Sequence, residues 1–291
     1  MINLEVINCK NTIKMKKILF PTDFSEAANN AFVHALEFAK IVHGELVLLH
    51  TFDLPVFDNQ FFPENYAVIY DSVELSEFDL FKDEIPKLRA IAEAHHLDKI
   101  KMSHRLKDGD LVSNIRGSIK EDKIDYVVMG TSGATGWDSF FIETNTASVV
   151  TEVDVPVFCI PSDAPFNKIK TIGFTTRFRA KDKKALQSIL ELAHKAKAKV
   201  KCLYVKTSDS DVSEATIAKW EEEFKSEPIE FFVIENDDVQ ATILDFIMYK
   251  DIDVLTLLPY KRGFFEGLLK PSLTKKLTTD FEIPILSIPM E

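Results

Sequence analysis

Two stretches of this chain follow one plan. Residues 16–52 read KKILFPTDFSEAANNAFVHALEFAKIVHGELVLLHTF, and residues 170–205 read KTIGFTTRFRAKDKKALQSILELAHKAKAKVKCLYV. Each opens with a short apolar run, turns, enters a helix and leaves through a β-rich run. In the first helix Ala28, Ala31, Phe32, Ala35, Phe38, Ala39 and Val42 recur at three-four spacing, and Leu186, Ile189, Leu190 and Ala193 do so in the second. The ends of the halves also match: KIDYVVMG at 123–130 answers KDIDVLTLLP at 250–259, and VDVPVFCIP at 153–161 answers FEIPILSIP at 281–289. A duplication on this scale constrains the fold more than any single motif.

Between these landmarks each half predicts a helix (77–95 and 214–225), a strand (101–106 and 230–234) and a further helix (111–120 and 240–249). Pro86 should kink or shorten the first of these helices, because proline removes a helical N–H. Strands alternating with helices call for parallel β-α-β units with helices on both sheet faces. The near-continuous apolar runs at 126–129 and 254–258 suit buried central strands. The expected division is an N-terminal arm (1–14), a first domain (15–162), a linker (163–169) containing Pro165, and a second domain (170–291). Pairing of the closing strands (155–160 and 283–288) within the chain would cover two exposed sheet edges.

Net charge is −11, without a block of Lys/Arg, which argues against a nucleic-acid partner because phosphate neutralisation dominates such binding. The basic spot at 181–184 suits a solvated helix face. No apolar stretch approaches the roughly 20 residues that span a bilayer, and residues 1–14 lack a signal-peptide core, so no membrane is expected and the cytoplasm is the default address. Cys9, Cys159 and Cys202 are too few and scattered for a disulfide framework or a zinc site; Cys159 and Cys202 read as buried small hydrophobes.

Parallel α/β sheets bind ligands at the carboxyl ends of their strands. Strand one is followed by Pro21-Thr22-Asp23, strand two by Thr51-Phe52-Asp53, and strand four by Met129-Gly130-Thr131-Ser132-Gly133-Ala134-Thr135-Gly136. Three glycines in seven residues let amide groups converge on an anion, and equally suit a plain tight turn. Thr144, Asn145 or Thr146 could cap the helix that follows. The segment is not a Walker A loop, since no Gly-Lys-Ser/Thr follows.

These residues resemble the universal stress protein family. ILFPTDFSEAANNAF, with Asp23 directly after strand one, resembles the family's opening, and 127–136 with 144–150 resembles its nucleotide motif, Gly-x2-Gly-x9-Gly-Ser/Thr. Gly130, Gly133 and Thr144 fall in register with that motif. The resemblance covers 15–162 and 168–291 and is most specific in the first half. It implies an α/β fold of two tandem domains, each a five-stranded mainly parallel sheet flanked by helices (Rossmann-like, of the nucleotide α-hydrolase type). Many members bind ATP and others do not. By resemblance, Asp23 and the backbone at Thr51 would face the adenosine of ATP or another adenine nucleotide, with Pro21 and Thr22 also in the nucleotide site. Met129 and Gly130 would line the floor, and Gly133, Thr144, Asn145 and Thr146 would hold phosphates.

Two departures matter. Glu143 stands where the motif has its third glycine, placing a carboxylate beside the phosphates; it would weaken triphosphate binding unless it points to solvent or reaches a bridging Mg²⁺. In the second half Arg177 replaces Asp23, residues 258–263 replace the Met-Gly-x-x-Gly entry, and Lys270-Pro271-Ser272 replaces the third glycine region. The second half therefore reads as a degenerate copy.

Other constellations are weaker. His95 and His96 are adjacent and diverge, Asp98 adds little, and His50 lacks the other half of a proton relay. Ser132 and Ser139 lack a nucleophile elbow. The segment 53–70, with Phe57, Phe61, Phe62, Tyr66 and Tyr70, reads as a long inserted loop that folds back or acts as a lid. The expectation is a nucleotide-binding protein acting in a stress or energy-state response through conformation and an unidentified protein partner, with a homodimer as a further option. A nucleotide-free docking scaffold is the alternative. A slow ATPase ranks last, since no water activator or arginine finger stands out.

Overall fold

Strand and helix alternate through both halves. The first contains β1 (Lys16–Pro21), α1 (Glu26–Val42), β2 (Gly44–Phe52), α2 (Pro63–Ala94), β3 (Met102–Asp108), α3 (Leu111–Asp122), β4 (Tyr126–Gly130), α4 (Ala147–Glu152) and β5 (Val157–Ile160). The second contains β6 (Thr171–Thr175), α5 (Ala180–Ala196), β7 (Lys199–Lys206), α6 (Glu214–Glu223), β8 (Ile229–Glu235), α7 (Val239–Tyr249), β9 (Val254–Leu257) and β10 (Ile285–Ser287). The computed structural model describes residues 15–53, 63–131, 146–258 and 283–289, with backbone alone for 63–70. The expected arm 1–14 lies outside them, as does Cys9.

The strand order is β3-β2-β1-β4-β5-β10-β9-β6-β7-β8. The two five-stranded sheets expected from the sequence are thus joined into one ten-stranded sheet. The closing strands do pair, antiparallel, with Cys159 opposite Ile285, Phe158 opposite Leu286 and Val157 opposite Ser287. That ladder satisfies backbone groups on two edges that would otherwise be bare. The other pairs in the sheet are parallel.

The core follows the pleat. Ile18 and Phe20 face one side of β1 and Leu19 the other. On the α1/α5 side Phe20, Phe32, Phe38 and Phe158 join Phe174, Leu186 and Ile189 in one cluster; on the other, Val127, Met129 and Cys159 join Leu203, Leu255 and Phe246. Both clusters cross the junction between halves. Helix α1 forms as its spacing predicts: Ser25 accepts from the Ala28 amide at its start, His43 closes it in the left-handed conformation, and all seven periodic residues are buried.

The chain after β5 is pinned to α1. Asn30 Nδ2 donates to the Ser162 and Ala164 carbonyls at 3.1 and 3.0 Å. His34 Nε2 donates to the Ala164 carbonyl at 3.1 Å, so this nitrogen carries the proton of the neutral ring. Burial lowers the His34 pKa below its ordinary 6.5. As pH falls, the unfolded chain takes up a second ring proton before the native one does, so this contribution to stability is present above about 6.5 and is lost below it. His104, also lowered by burial, acts with the same sign. His34→Gln should therefore flatten part, not all, of the acid decline in urea-unfolding midpoints.

Three expectations need correction. Pro86 does not shorten its helix: α2 runs unbroken over 32 residues with Pro86 inside it. Pro86 is exposed, so the carbonyl freed one turn earlier can be hydrated. Residues 63–70, expected in a loop, form the start of α2, where Pro63 suits a first turn that needs no N–H. Phe57, Phe61 and Phe62 lie outside the described residues. Thr146 precedes α4 in helical φ/ψ and makes no side-chain cap, so the cap expected there is not formed by this residue.

Gly173 stands in β6 where β1 has Leu19. A Cβ there would meet Ile252 Cγ2 at 2.9 Å and Leu255 Cδ1 at 3.2 Å. Gly173→Ala should destabilise the protein by about 1–3 kcal/mol through overpacking. A chemical-denaturation midpoint unchanged from the parent would show that Ile252 yields freely. Cys159 and Cys202 are buried as expected, and burial pushes the Cys159 thiol up to about 12 and that of Cys202 well above its usual range.

Candidate functional site

Strand order reverses between β1 and β4: one side continues to β2 and β3, the other to β5. Crossovers leaving in opposite directions open a crevice at the carboxyl ends. A cavity of about 460 Å³ lies there. Pro21, Thr22 and Asp23 come to it from β1, Thr51 from β2, Met129 and Gly130 from β4, and Thr146 from the start of α4. Seven of the ten residues singled out in the sequence thus meet at one cavity. Gly133, Thr144 and Asn145 lie outside the described residues, as does Glu143.

The β1–α1 turn is tightly built. The Thr22 amide donates to the Leu49 carbonyl at 2.9 Å, and Thr22 Oγ1 accepts from the Phe24 amide at 3.0 Å. Phe24 sits at φ 61°, a left-handed conformation unusual for an aromatic residue. Its ring is held 4.8 Å from His50 and 6.0 Å from Phe81, which fixes the turn despite the strain. Asp23, exposed at the rim, accepts from the Ser25 amide at 3.0 Å through Oδ1.

His50 is packed and hydrogen-bonded, and Glu77 supplies a carboxylate neighbour that the sequence did not reveal. Its ring is buried, Nδ1 lies 2.7 Å from the Thr22 carbonyl, and Nε2 lies 3.4 Å from Glu77 on α2. Since a carbonyl only accepts, Nδ1 carries a proton and braces the Thr22 turn.

Sequence reasoning missed the wall made by the β3–α3 connection. Gly109, Asp110 and Leu111 line the cavity beside Ala28, Phe52, Asp53 and Thr131. Gly109 has φ 90°, its amide donates to the Phe52 carbonyl at 2.9 Å, and Asp110 caps α3 through the Ser113 amide at 2.8 Å. Asn114 Nδ2 ties the carbonyls of Asp108, Gly109 and Asp110 together. The Asp-Gly-Asp string before an apolar run was the available signal: a glycine turn followed by a helix cap.

The cavity walls are chemically split. Pro21, Ala28, Leu111 and Met129 offer apolar surface, whereas Asp23, Asp53 and Asp110 offer carboxylates and no Lys or Arg lines the described part. Among the described residues no group of three or more His, Cys, Asp or Glu gathers as a metal site, so His95, His96 and Asp98 form none. No described helix is long and apolar enough to cross a membrane.

An α/β sheet with a crevice at its switch point, lined by loops that follow β1, β2, β3 and β4, has the architecture in which open α/β folds commonly place their ligands. The universal stress protein family model matches residues 14–161, and the chain belongs to that family. Universal stress protein MJ0577 of Methanocaldococcus jannaschii is 23% identical over 159 residues, 51% of this chain and 96% of that protein. Universal stress protein MJ0531 of the same organism is 24% identical over 145 residues, 50% of this chain and 81% of that one. A crystal structure of a universal stress protein from Archaeoglobus fulgidus aligns with a TM-score of 0.68 at 18% identity, covering 94% of this chain and 96% of that one, so the fold is shared across both halves.

Proposed function

We propose that the first-half cavity is an adenine-nucleotide site, for ATP, ADP or AMP, and that its occupancy is read by a protein partner in a stress or energy-state response. The observation that carries this reading is the convergence of Pro21, Thr22, Asp23, Thr51, Met129, Gly130 and Thr146 on one cavity of about 460 Å³ in a chain of this family. That volume lies within the roughly 300–1,000 Å³ of small-molecule pockets.

The split walls suit a nucleoside. A flat base gains from the apolar Pro21, Leu111 and Met129 surfaces, and the hydroxyls and exocyclic amine have acceptors in Asp23 and Asp53. Phosphates would be repelled by the three carboxylates, so they would lie on the Gly130/Thr146 side, with amides of the following loop or Mg²⁺ offsetting their charge. In this reading residues 15–162 and 170–291 work as two domains joined by 163–169.

Calorimetric titration of ATP, ADP and AMP, each with and without Mg²⁺, is the test. Micromolar binding at one site per chain is expected. No heat at millimolar nucleotide would sink the proposal and favour a nucleotide-free scaffold, the outcome that Glu143 in place of the motif glycine would explain.

A further inference from the structure

The second half holds an equivalent cavity with altered chemistry. It lies at the carboxyl ends of β6, β7 and β9 and has a volume of about 260 Å³. Strand register aligns the halves residue by residue: Ile18 pairs with Tyr126 as Ile172 pairs with Val254. Counting on, Asp23 corresponds to Arg177 and Gly130 to Leu258.

Each exchange has a physical consequence. Leu258 is 3% exposed and lines the cavity, so a leucine side chain fills floor that Gly130 leaves open in the first half. The space is smaller by about 200 Å³ (460 less 260). Arg177 puts a guanidinium where the first half has a carboxylate. The backbone turn is repeated, with Phe178 at φ 54° and its amide on Thr176 Oγ1 at 2.8 Å, so the exchange of aspartate for arginine falls at the same place in the turn. Hydroxyls of Thr175, Thr207 and Ser210 add donors around it.

The carboxylates nearby are partly committed. Asp182 is fully buried, and Oδ2 accepts from Thr176 Oγ1 and the Arg177 and Arg179 amides. Asp211 is engaged by Arg179, whose Nη2 reaches both its oxygens at 2.7 and 3.0 Å. This pair links the start of α5 to the β7–α6 loop, and its side chains are 51% and 66% exposed, so a ligand anion can compete for Arg179. Asp209 on the same loop is exposed.

We propose that this second cavity is a separate site for a small anion below nucleotide size, a phosphate monoester or short carboxylate, anchored by Arg177. Binding draws Arg179 away from Asp211 and loosens the β7–α6 loop.

The test titrates inorganic phosphate, glycerol 3-phosphate and succinate into the full chain at constant ionic strength, followed by calorimetry and amide NMR. Saturable binding by at least one probe is expected, with shifts confined to the ends of β6, β7 and β9, the start of α5 and the β7–α6 loop. Arg177→Ala should weaken it by about tenfold or more, the loss of one charge-assisted contact. Arg177→Lys should recover part, Asp211→Asn should tighten binding by freeing Arg179, and Asp23→Ala should leave it unchanged. Binding insensitive to Arg177→Ala, displacement of the probe by AMP, or no saturable binding by any probe would overturn the proposal. Because Asp23→Ala acts on the first cavity alone, failure here is separable from failure of the nucleotide reading.

Discussion

Asp23→Ala is expected to weaken adenine-nucleotide binding by roughly ten- to hundredfold, the range for a hydrogen bond to a charged group worth about 1.5–3 kcal/mol. Asp23 is an exposed carboxylate at the rim of the first cavity, directly after β1. Its Oδ1 also accepts from the Ser25 amide, so alanine removes a turn contact as well as a ligand contact. Asp23→Asn separates the two, because its carbonyl oxygen can keep the Ser25 contact while the charge is gone. If binding depends on the carboxylate, both variants lose affinity and Asp23→Asn keeps the parental melting temperature. Full affinity in Asp23→Asn would assign Asp23 to the turn alone.

Asp182→Ala is expected to cost the fold about 3–5 kcal/mol. The carboxylate is fully buried and accepts from Thr176 Oγ1 at 2.9 Å, the Arg177 amide at 2.7 Å and the Arg179 amide at 3.2 Å. Removing it strands one buried donor and two part-buried ones, each costing up to about 1–3 kcal/mol when left unpaired, with partial relief as water or nearby groups adjust. The first half handles the same corner differently: Ser25 caps α1 through the Ala28 amide, and Ala28 occupies the place corresponding to Asp182. Scanning calorimetry should show a large drop in melting temperature for Asp182→Ala and a smaller one for Asp182→Asn, which keeps one acceptor. A shift no larger than that of an exposed α5 substitution would mean that the turn holds itself without the carboxylate.

The helices and strands were largely legible because their signals are local. Period 3.6 in α1 and α5, and apolar runs in β4 and β9, each report one buried face. The cavity was legible to the extent that it is built from strand ends: a residue directly after β1, β2 or β4 in a parallel sheet has little choice of place. Gly109, Asp110 and Leu111 escaped because β3 is an edge strand with weaker apolar character, and nothing local says that its loop leans over the crevice. The Phe24–His50–Phe81 contacts and the Asp182 hub escaped for a related reason, since each joins side chains whose meeting depends on how a helix lies on the sheet.

The sequence by itself determined the duplication, the order of elements and the positions of Asp23, Thr51 and Gly130 at strand ends, because these follow from periodicity and backbone chemistry along a few residues. Tertiary structure alone decided that the closing strands expected to pair do so antiparallel, and that the core runs continuously across both halves on each face. It also decided that α2 passes Pro86 intact, and that the second cavity is the smaller one, with two arginines and two aspartates in its lining where the first has three aspartates. These outcomes depend on which edge finds which edge and which side chain fills which volume. Such contacts join residues distant in the chain, and no local pattern encodes their distances.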